Sequence, residues 1–511
     1  MVQPQFKEST IVIIDTGRRT ITAGRGLHEL LPAPTVVVQA RVGLRASDAS
    51  RFRQGDGMAV DGQQPSSSTP SPNSPPKGLR PSNYLVGQQL DDALAAGEEL
   101  EVWWPFEDGK IGDWVQAEAL WKHVLFHCLH LRRTLNEFPV LLGLPKPLSV
   151  PSSELLAQLF FERFNVAAFS VNDRPVLQLF AANQISGIVV DIDDCSTDLS
   201  PVVEGELVRE GFPSKSISIG LQDCLRHLAS VFSTNANIVN VISPSTNPLP
   251  QDALQAALFR LAEHIFNEGH VNPLAASAAP PTAAVAAAEE DDASTNLASI
   301  LVAGKEKALI EASSKKKAAA RGVAEREKEK ERQALDLVDV EFEGLKLTLG
   351  KERHRMCEPL LDGEWVKMMI RQGLKDEMTT IVLPEAINVL LGSISDLRSR
   401  SAVCDAVQVT GKMSRIKTLT TALVSQLTFF VPRDPIDLGN PANPMAPEIR
   451  KAFTPVKVPE YFANYRDTGD GFAGFLGASI VAKLTFNDPT GRFLSKADYA
   501  AKGPSAISEL M

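Results

Sequence analysis

Two short apolar runs, each ending in an aspartate, constrain this chain more than any other feature. Ile11-Val12-Ile13-Ile14 is continuous and β-branched, the pattern of a strand buried on both faces. It closes on Asp15-Thr16-Gly17, a turn sequence, after which Arg19 to Thr22 alternates as the return strand of a hairpin. The arrangement recurs far downstream. Gly187-Ile188-Val189-Val190 leads to Asp191, then through Ile192-Asp193-Asp194-Cys195-Ser196 to a second strand toward Val203. Two buried hairpins with an acid at the tip of each predict a duplicated α/β domain. In such a pair Asp15 and Asp191 face each other across a cleft, where they can hold a hydrated divalent ion while turn amides cradle phosphates. Taken singly, each aspartate need do no more than cap a turn.

The 511 residues exceed one ordinary domain of roughly 100–200 residues, and a hydrophobic share of 44% supplies a sizeable core. The net charge of -10 argues against a protein that coats nucleic acid. The five cysteines, Cys128, Cys195, Cys224, Cys357 and Cys404, form no CxxC pair, so they read as reduced thiols with no disulfide frame and no metal cluster. No stretch approaches the ~20 apolar residues of a membrane span, and Met1 to Thr10 lacks a signal-peptide design; no membrane partner is expected.

Two stretches break the globular texture. Residues 62–82 are dominated by Pro, Ser and Gly and cannot bury enough apolar area to order themselves; Thr69, Ser71 and Ser74 each precede a proline, the local pattern of proline-directed phosphorylation. Residues 272–338 open rich in Ala and Pro, pass an acidic run at Glu289 to Asp292, and end in alternating charge from Lys315 to Arg332. The later half predicts a helix that is polar on every face and therefore solvated, with Lys315-Lys316-Lys317 suited to nuclear import or to phosphate backbones.

The remaining motifs, in collinear order, resemble the actin family. Ile13 to Gly17 through Ala23-Gly24 is similar to the first phosphate loop of actin, and Pro34-Thr35-Val36-Val37 to the strand that follows. The segment from Trp103 to Trp114, with Trp121 beyond, resembles P-x-x-x-G-x-V-x-N-W; Phe138 to Leu142 resembles H-P-V-L-L. Gly187 to Gly205 is similar to the second phosphate loop and its P-I-Y-E-G exit, Leu349 to Arg355 to I-G-N-E-R-F-R, and Phe475 to Ala482 to W-I-G-G-S-I-L-A. The matches run from residue 8 to residue 505. The resemblance implies a bilobal, ribonuclease-H-like α/β fold of four subdomains. Subdomain 1 would comprise 1–31, 104–181 and 471–511; subdomain 2, 32–103; subdomain 3, 182–218 and 369–470; and subdomain 4, 219–368. Nucleotide-facing positions would be Asp15, Gly17, Arg18, Asp191, Asp194, Gly220 and Gly411.

Departures from the family pattern bear on function. Where actins read D-S-G-D-G-V-T-H, this chain reads Asp191-Ile192-Asp193-Asp194-Cys195-Ser196-Thr197-Asp198, and both glycines that admit phosphate to the backbone are gone. Asp193 also adds a charge, and two like charges at ~4 Å repel by ~4 kcal/mol at an effective dielectric of ~20. Arg18 or Arg19 is expected to offset it by pairing with Asp193 or Asp194. The glutamine and histidine that position actin's attacking water correspond to Arg174 and Asp198. Arginine cannot accept the water's proton, and an aspartate facing a triphosphate adds repulsion. The adenine-side motif keeps only Gly411. These changes predict a pseudo-ATPase with no catalytic residue and no metal, in which any ATP binds weakly.

The Ser/Pro insert would project where the next filament subunit docks, so polymerisation is expected to be lost. The family's partner groove keeps apolar residues at Phe180, Leu476, Ile480, Val481 and Leu484, suited to an inserted helix. Within the family the chain most resembles nuclear actin-related proteins, and among these the fungal ninth class of SWI/SNF- and RSC-type chromatin remodelling complexes. That resemblance implies a nuclear scaffold that binds the helicase/SANT-associated helix of the remodelling ATPase, a second actin-related protein and other remodeller subunits, and touches chromatin indirectly. The alternatives are a cytoplasmic cytoskeletal actin-related protein and a weak ATPase of the actin and sugar-kinase superfamily.

Overall fold

The computed structural model describes residues 6–27, 33–55, 76, 78–135, 138–208, 215–244, 248–276, 332, 335–376, 379–427, 453–466, 468–487 and 492–510. Thr69, Ser71, Ser74 and Lys315 to Lys317 lie outside the described residues. The chain divides into two units, Met1–Gln222 with Leu360–Met511, and Asp223–Pro359.

The first unit contains two sheets built on one plan. In the first, Val12–Thr16 pairs antiparallel with Thr20–Arg25 and parallel with Pro139–Leu144, which is in turn parallel to Ala168–Asp173. In the second, Gly187–Ile192 pairs antiparallel with Thr197–Val203 and parallel with Val407–Gly411, which is parallel to Pro455–Val456. The shared order of hairpin, then two parallel neighbours, is the duplication that the two apolar runs predicted. Alternation along a strand sends successive side chains to opposite faces. Val12 and Ile14 accordingly join a core with Trp121, Phe160 and Phe169, while Ile11 and Ile13 join another with Leu141, Leu177 and Phe475. Both faces are buried, which is why the run is apolar at every position.

Helix Arg174–Ala181 packs on helix Ala473–Asn487 with almost no separation. A Cβ on Gly477 would lie 1.6 Å from the Leu177 carbonyl oxygen, so only glycine permits this crossing. Trp121, fully buried, donates its Nε1–H to Thr16 Oγ1 at 3.1 Å and fixes the end of the first hairpin strand.

In the second unit, hairpin Val338–Phe342 and Leu345–Leu349 turns through Glu343 and Gly344, both at positive φ (49° and 79°), as a tight two-residue turn requires. The I-G-N-E-R-F-R-like segment is a lock here. Buried Arg353 donates to the carbonyls of His270, Asp336 and Gly350 and to Asp336 Oδ1 at 2.6 Å. His354 Nδ1 accepts from the Asn272 amide, so its proton sits on Nε2 and is given to Asp336 Oδ2 at 2.5 Å.

Candidate functional site

The tips of the two hairpins carry the residues that the sequence singled out, and each acid has a cation of its own. Asp15, the fourth residue of its strand, is 2% exposed. Asp191 stands directly opposite Asp198 across the second hairpin. Like charges at such a cross-strand pair destabilise a sheet unless separately neutralised. They are: Arg174 Nη1 contacts Asp191 Oδ2, while Arg18 grips Asp198 with Nε to Oδ2 and Nη2 to Oδ1, both at 2.6 Å. Arg18 also donates to the Glu107 carbonyl at 2.6 Å and to Ser216 Oγ at 3.1 Å. Arg19 turns away, paired with the Glu107 carboxylate at 2.6 Å and stacked 4.4 Å over the Trp104 ring. The expected pairing of Arg18 or Arg19 with Asp193 or Asp194 is therefore corrected: Arg18 takes Asp198 because that carboxylate presents both oxygens to one planar fork. Asp194 is met instead by Lys412 Nζ at 3.1 Å.

Arg174 is the centre of the arrangement. Its Nε donates to Asp15 Oδ1 at 2.8 Å and its Nη1 to Asp191, so one guanidinium joins the central strands of both sheets. Burial works against its charge, but the two carboxylates outweigh burial and hold its pKa above the ordinary arginine value. Burial pushes the Asp15 carboxyl upward, and the Arg174 guanidinium pulls it back. Gln178, one turn further along the same helix, donates from Nε2 to Asp191 Oδ2 at 3.3 Å and to Thr410 Oγ1 at 3.1 Å. Asp193 has only the Asp194 amide at 2.8 Å; burial first, then the charges of Asp191 and Asp194, push its pKa up to about 6.

The glycines at the site are there for close approach. Gly411 lies at φ 79°, and a Cβ on it would sit 2.3 Å from the Ile192 carbonyl oxygen. On Gly220 a Cβ would meet the carbonyl oxygens of Asp193 and Asp194 at 2.6 Å. Gly17 donates its amide to the Thr20 carbonyl at 2.8 Å, and Asp193 to that of Ser196 at 2.9 Å. These loop amides are spent on the turns themselves. With Asp15 and Asp191 sharing a guanidinium and Arg18 bound to Asp198, the residues at the two hairpin tips do not fit a divalent metal with a triphosphate, and no chemical step is derived through them.

Sequence reasoning missed Gln178, Lys412 and Gly474, whose Cβ would lie 2.5 Å from Asp15 Oδ2. The first had a signal in its i+4 spacing from Arg174; the other two had none. The expected partner groove also needs correction. Leu476 is fully buried, packed with Ala181, Val458, Tyr465 and Ala473, with Ile480 half-buried on that cluster. Val481 packs with Phe6 on a different cluster, and Phe180 on a third beside Val176 and Leu179. Of the five, Leu484 alone is well exposed, at 64%. They form no single floor, and Leu476 is core.

A family model described as Actin matches residues 6–510. The chain is similar to the protein named SWI/SNF and RSC complexes subunit arp9 of Schizosaccharomyces pombe, 25% identical with 99% of each chain covered. A shorter similarity, 33% identical over 129 residues, joins it to Actin-related protein 4 of Arabidopsis thaliana, covering 25% of this chain and 29% of that one. With the duplicated hairpin sheets in place and the family model matched over nearly the whole length, the chain belongs to the actin family.

Proposed function

We propose that this chain is a non-catalytic actin-related subunit of a nuclear, ATP-dependent chromatin remodelling complex of the SWI/SNF and RSC type. The observation that carries the reading is the end-to-end similarity to the S. pombe subunit, with 99% of both chains aligned. The commitment of Arg174, Arg18 and Lys412 to the four acids of the hairpin tips supports its non-catalytic side. Phosphoryl transfer works by positioning and charge stabilisation, and here the water-positioning residue is a guanidinium already engaged with two carboxylates. A protein so arranged contributes surface rather than turnover. Its partners would be the helicase/SANT-associated helix of the remodelling ATPase, a second actin-related protein and further remodeller subunits, with chromatin touched indirectly.

The test is purification of the tagged chain from nuclear extract with identification of the chains that accompany it. A remodelling ATPase and a second actin-related protein should co-purify. Leu484→Asp, at an exposed position where folding tolerates charge, should reduce recovery of the ATPase at least ~10-fold if its helix docks there. Wild type that brings down no chromatin-associated chain refutes the remodeller reading; Leu484→Asp with unchanged partners moves the docking site elsewhere.

A further inference from the structure

We propose that Arg174 is a built-in counter-ion, and that it masks a latent divalent-cation site formed by Asp15, Asp191 and Gln178. Three observations lead there. First, the two carboxylates come from central strands of different sheets, yet both reach the same guanidinium, Asp15 at 2.8 Å from Nε and Asp191 at Nη1. Second, Arg174 is the first residue of helix Arg174–Ala181. A cation there meets the positive end of the helix dipole, in a buried position, so local forces alone would expel it. What retains it is the pair of acids. Third, Gln178 Oε1 is buried, in a residue 1% exposed, and has no hydrogen-bond partner although its own Nε2 is bonded to Asp191 and Thr410. An unsatisfied amide oxygen beside two carboxylates is the hard oxygen set that magnesium and calcium take.

One guanidinium supplies a single positive charge to two carboxylates and offers nothing to the Gln178 oxygen, since it only donates hydrogen bonds and that oxygen is left without one. A divalent ion would neutralise both acids and accept the orphaned oxygen. The side chain at position 174 thus decides whether the hairpin tips are held together by the chain itself or by a bound ion. The proposal deepens the non-catalytic reading, on which it rests for the expectation that the resting protein needs no metal. Its readout is cation-dependent stability rather than turnover, so the two fail separately.

The experiment compares full-length wild type, Arg174→Gln, Arg174→Lys and Arg174→Gln/Asp15→Asn by thermal unfolding in EDTA and in millimolar CaCl2 or MgCl2. Terbium luminescence on the same proteins serves as a direct binding probe. Wild type and Arg174→Lys should unfold at the same temperature with and without the ion. Arg174→Gln should unfold earlier in EDTA, regain several °C in calcium, and sensitise terbium with a stoichiometry near one. The double variant should lose both responses. The inference is overturned if Arg174→Gln gains nothing from either ion, if wild type gains as much as the variant, or if Arg174→Gln cannot be recovered folded even in calcium.

Discussion

Replacing Arg18 by methionine strips a bidentate partner from Asp198 while keeping the bulk of the side chain. In the folded protein Arg18 is 9% exposed and the Asp198 side chain 16%, so the pair is largely out of water. The variant leaves Asp198 facing Asp191 across the hairpin with no cation of its own. Two carboxylates ~5 Å apart at an effective dielectric of ~20 repel by ~3 kcal/mol. Breaking one side of a buried pair costs ~3–5 kcal/mol by a separate reckoning, and the residual exposure of Asp198 places this case at the lower end. We expect Arg18→Met to destabilise by about 3 kcal/mol, a fall of roughly 1 M in the urea midpoint at a slope of ~3 kcal/mol/M. All five tryptophans (Trp103, Trp104, Trp114, Trp121 and Trp365) lie in the first unit, so their fluorescence follows the unit that contains the pair. Arg18→Met also abandons the Glu107 carbonyl and Ser216, and a double-mutant cycle with Asp198→Asn separates those losses from the ion pair. The double variant should recover about 2 kcal/mol relative to the sum of the singles. Strict additivity, within ~0.5 kcal/mol, would show that the pair contributes nothing and that this account of the hairpin tips is wrong.

Further outcomes follow from the same structure. Asp193→Asn should stabilise the protein at pH 7 by on the order of 1–2 kcal/mol, because its folded pKa of about 6 exceeds the unfolded value and the ionised form is the strained one; an equally large loss would refute this. Gly477→Ala should cost more than ~3 kcal/mol or prevent folding, since the helices must separate to admit the methyl group, and a variant with wild-type melting would show that the crossing is looser than described. Glu358 is held at about 2: burial alone would raise it, but His227 at 2.7 Å and Arg355 at 2.6 Å outweigh burial. Its contribution is complete above pH ~4.5 and fades as the pH falls toward 2, so Glu358→Gln should flatten the acid limb of the stability profile and leave a constant deficit at neutral pH.

Much of the fold was legible because strand burial writes itself into sequence. Ile11 to Ile14 and Gly187 to Val190 are apolar throughout since both faces of each strand are covered, and the acid after each run marks where the strand leaves the core. The site was legible in its members and not in its pairings. Asp15, Arg174 and Asp191 are far apart in the chain, and nothing local to Arg174 indicates that two strands end beside it. Arg18 was matched to the wrong acids for a related reason: nearness in a resembling loop does not reveal which carboxylate offers two oxygens to the guanidinium plane. Helix Ala473–Asn487 hid its own orientation. Residues Ala473 to Ser479 are buried on every side, so an apolar pattern there could not say which residues face a partner, and Leu476 was placed in a groove when it belongs to the core.

The account turns on whether an actin-family fold with its own cations at the hairpin tips still processes nucleotide. The most direct measurement is steady-state release of phosphate from Mg-ATP by the purified chain, alongside Asp15→Ala. The account predicts that both proteins are indistinguishable from buffer. Turnover by wild type that disappears in Asp15→Ala would contradict it, because it would require Arg174 to release Asp15 and a metal to take its place.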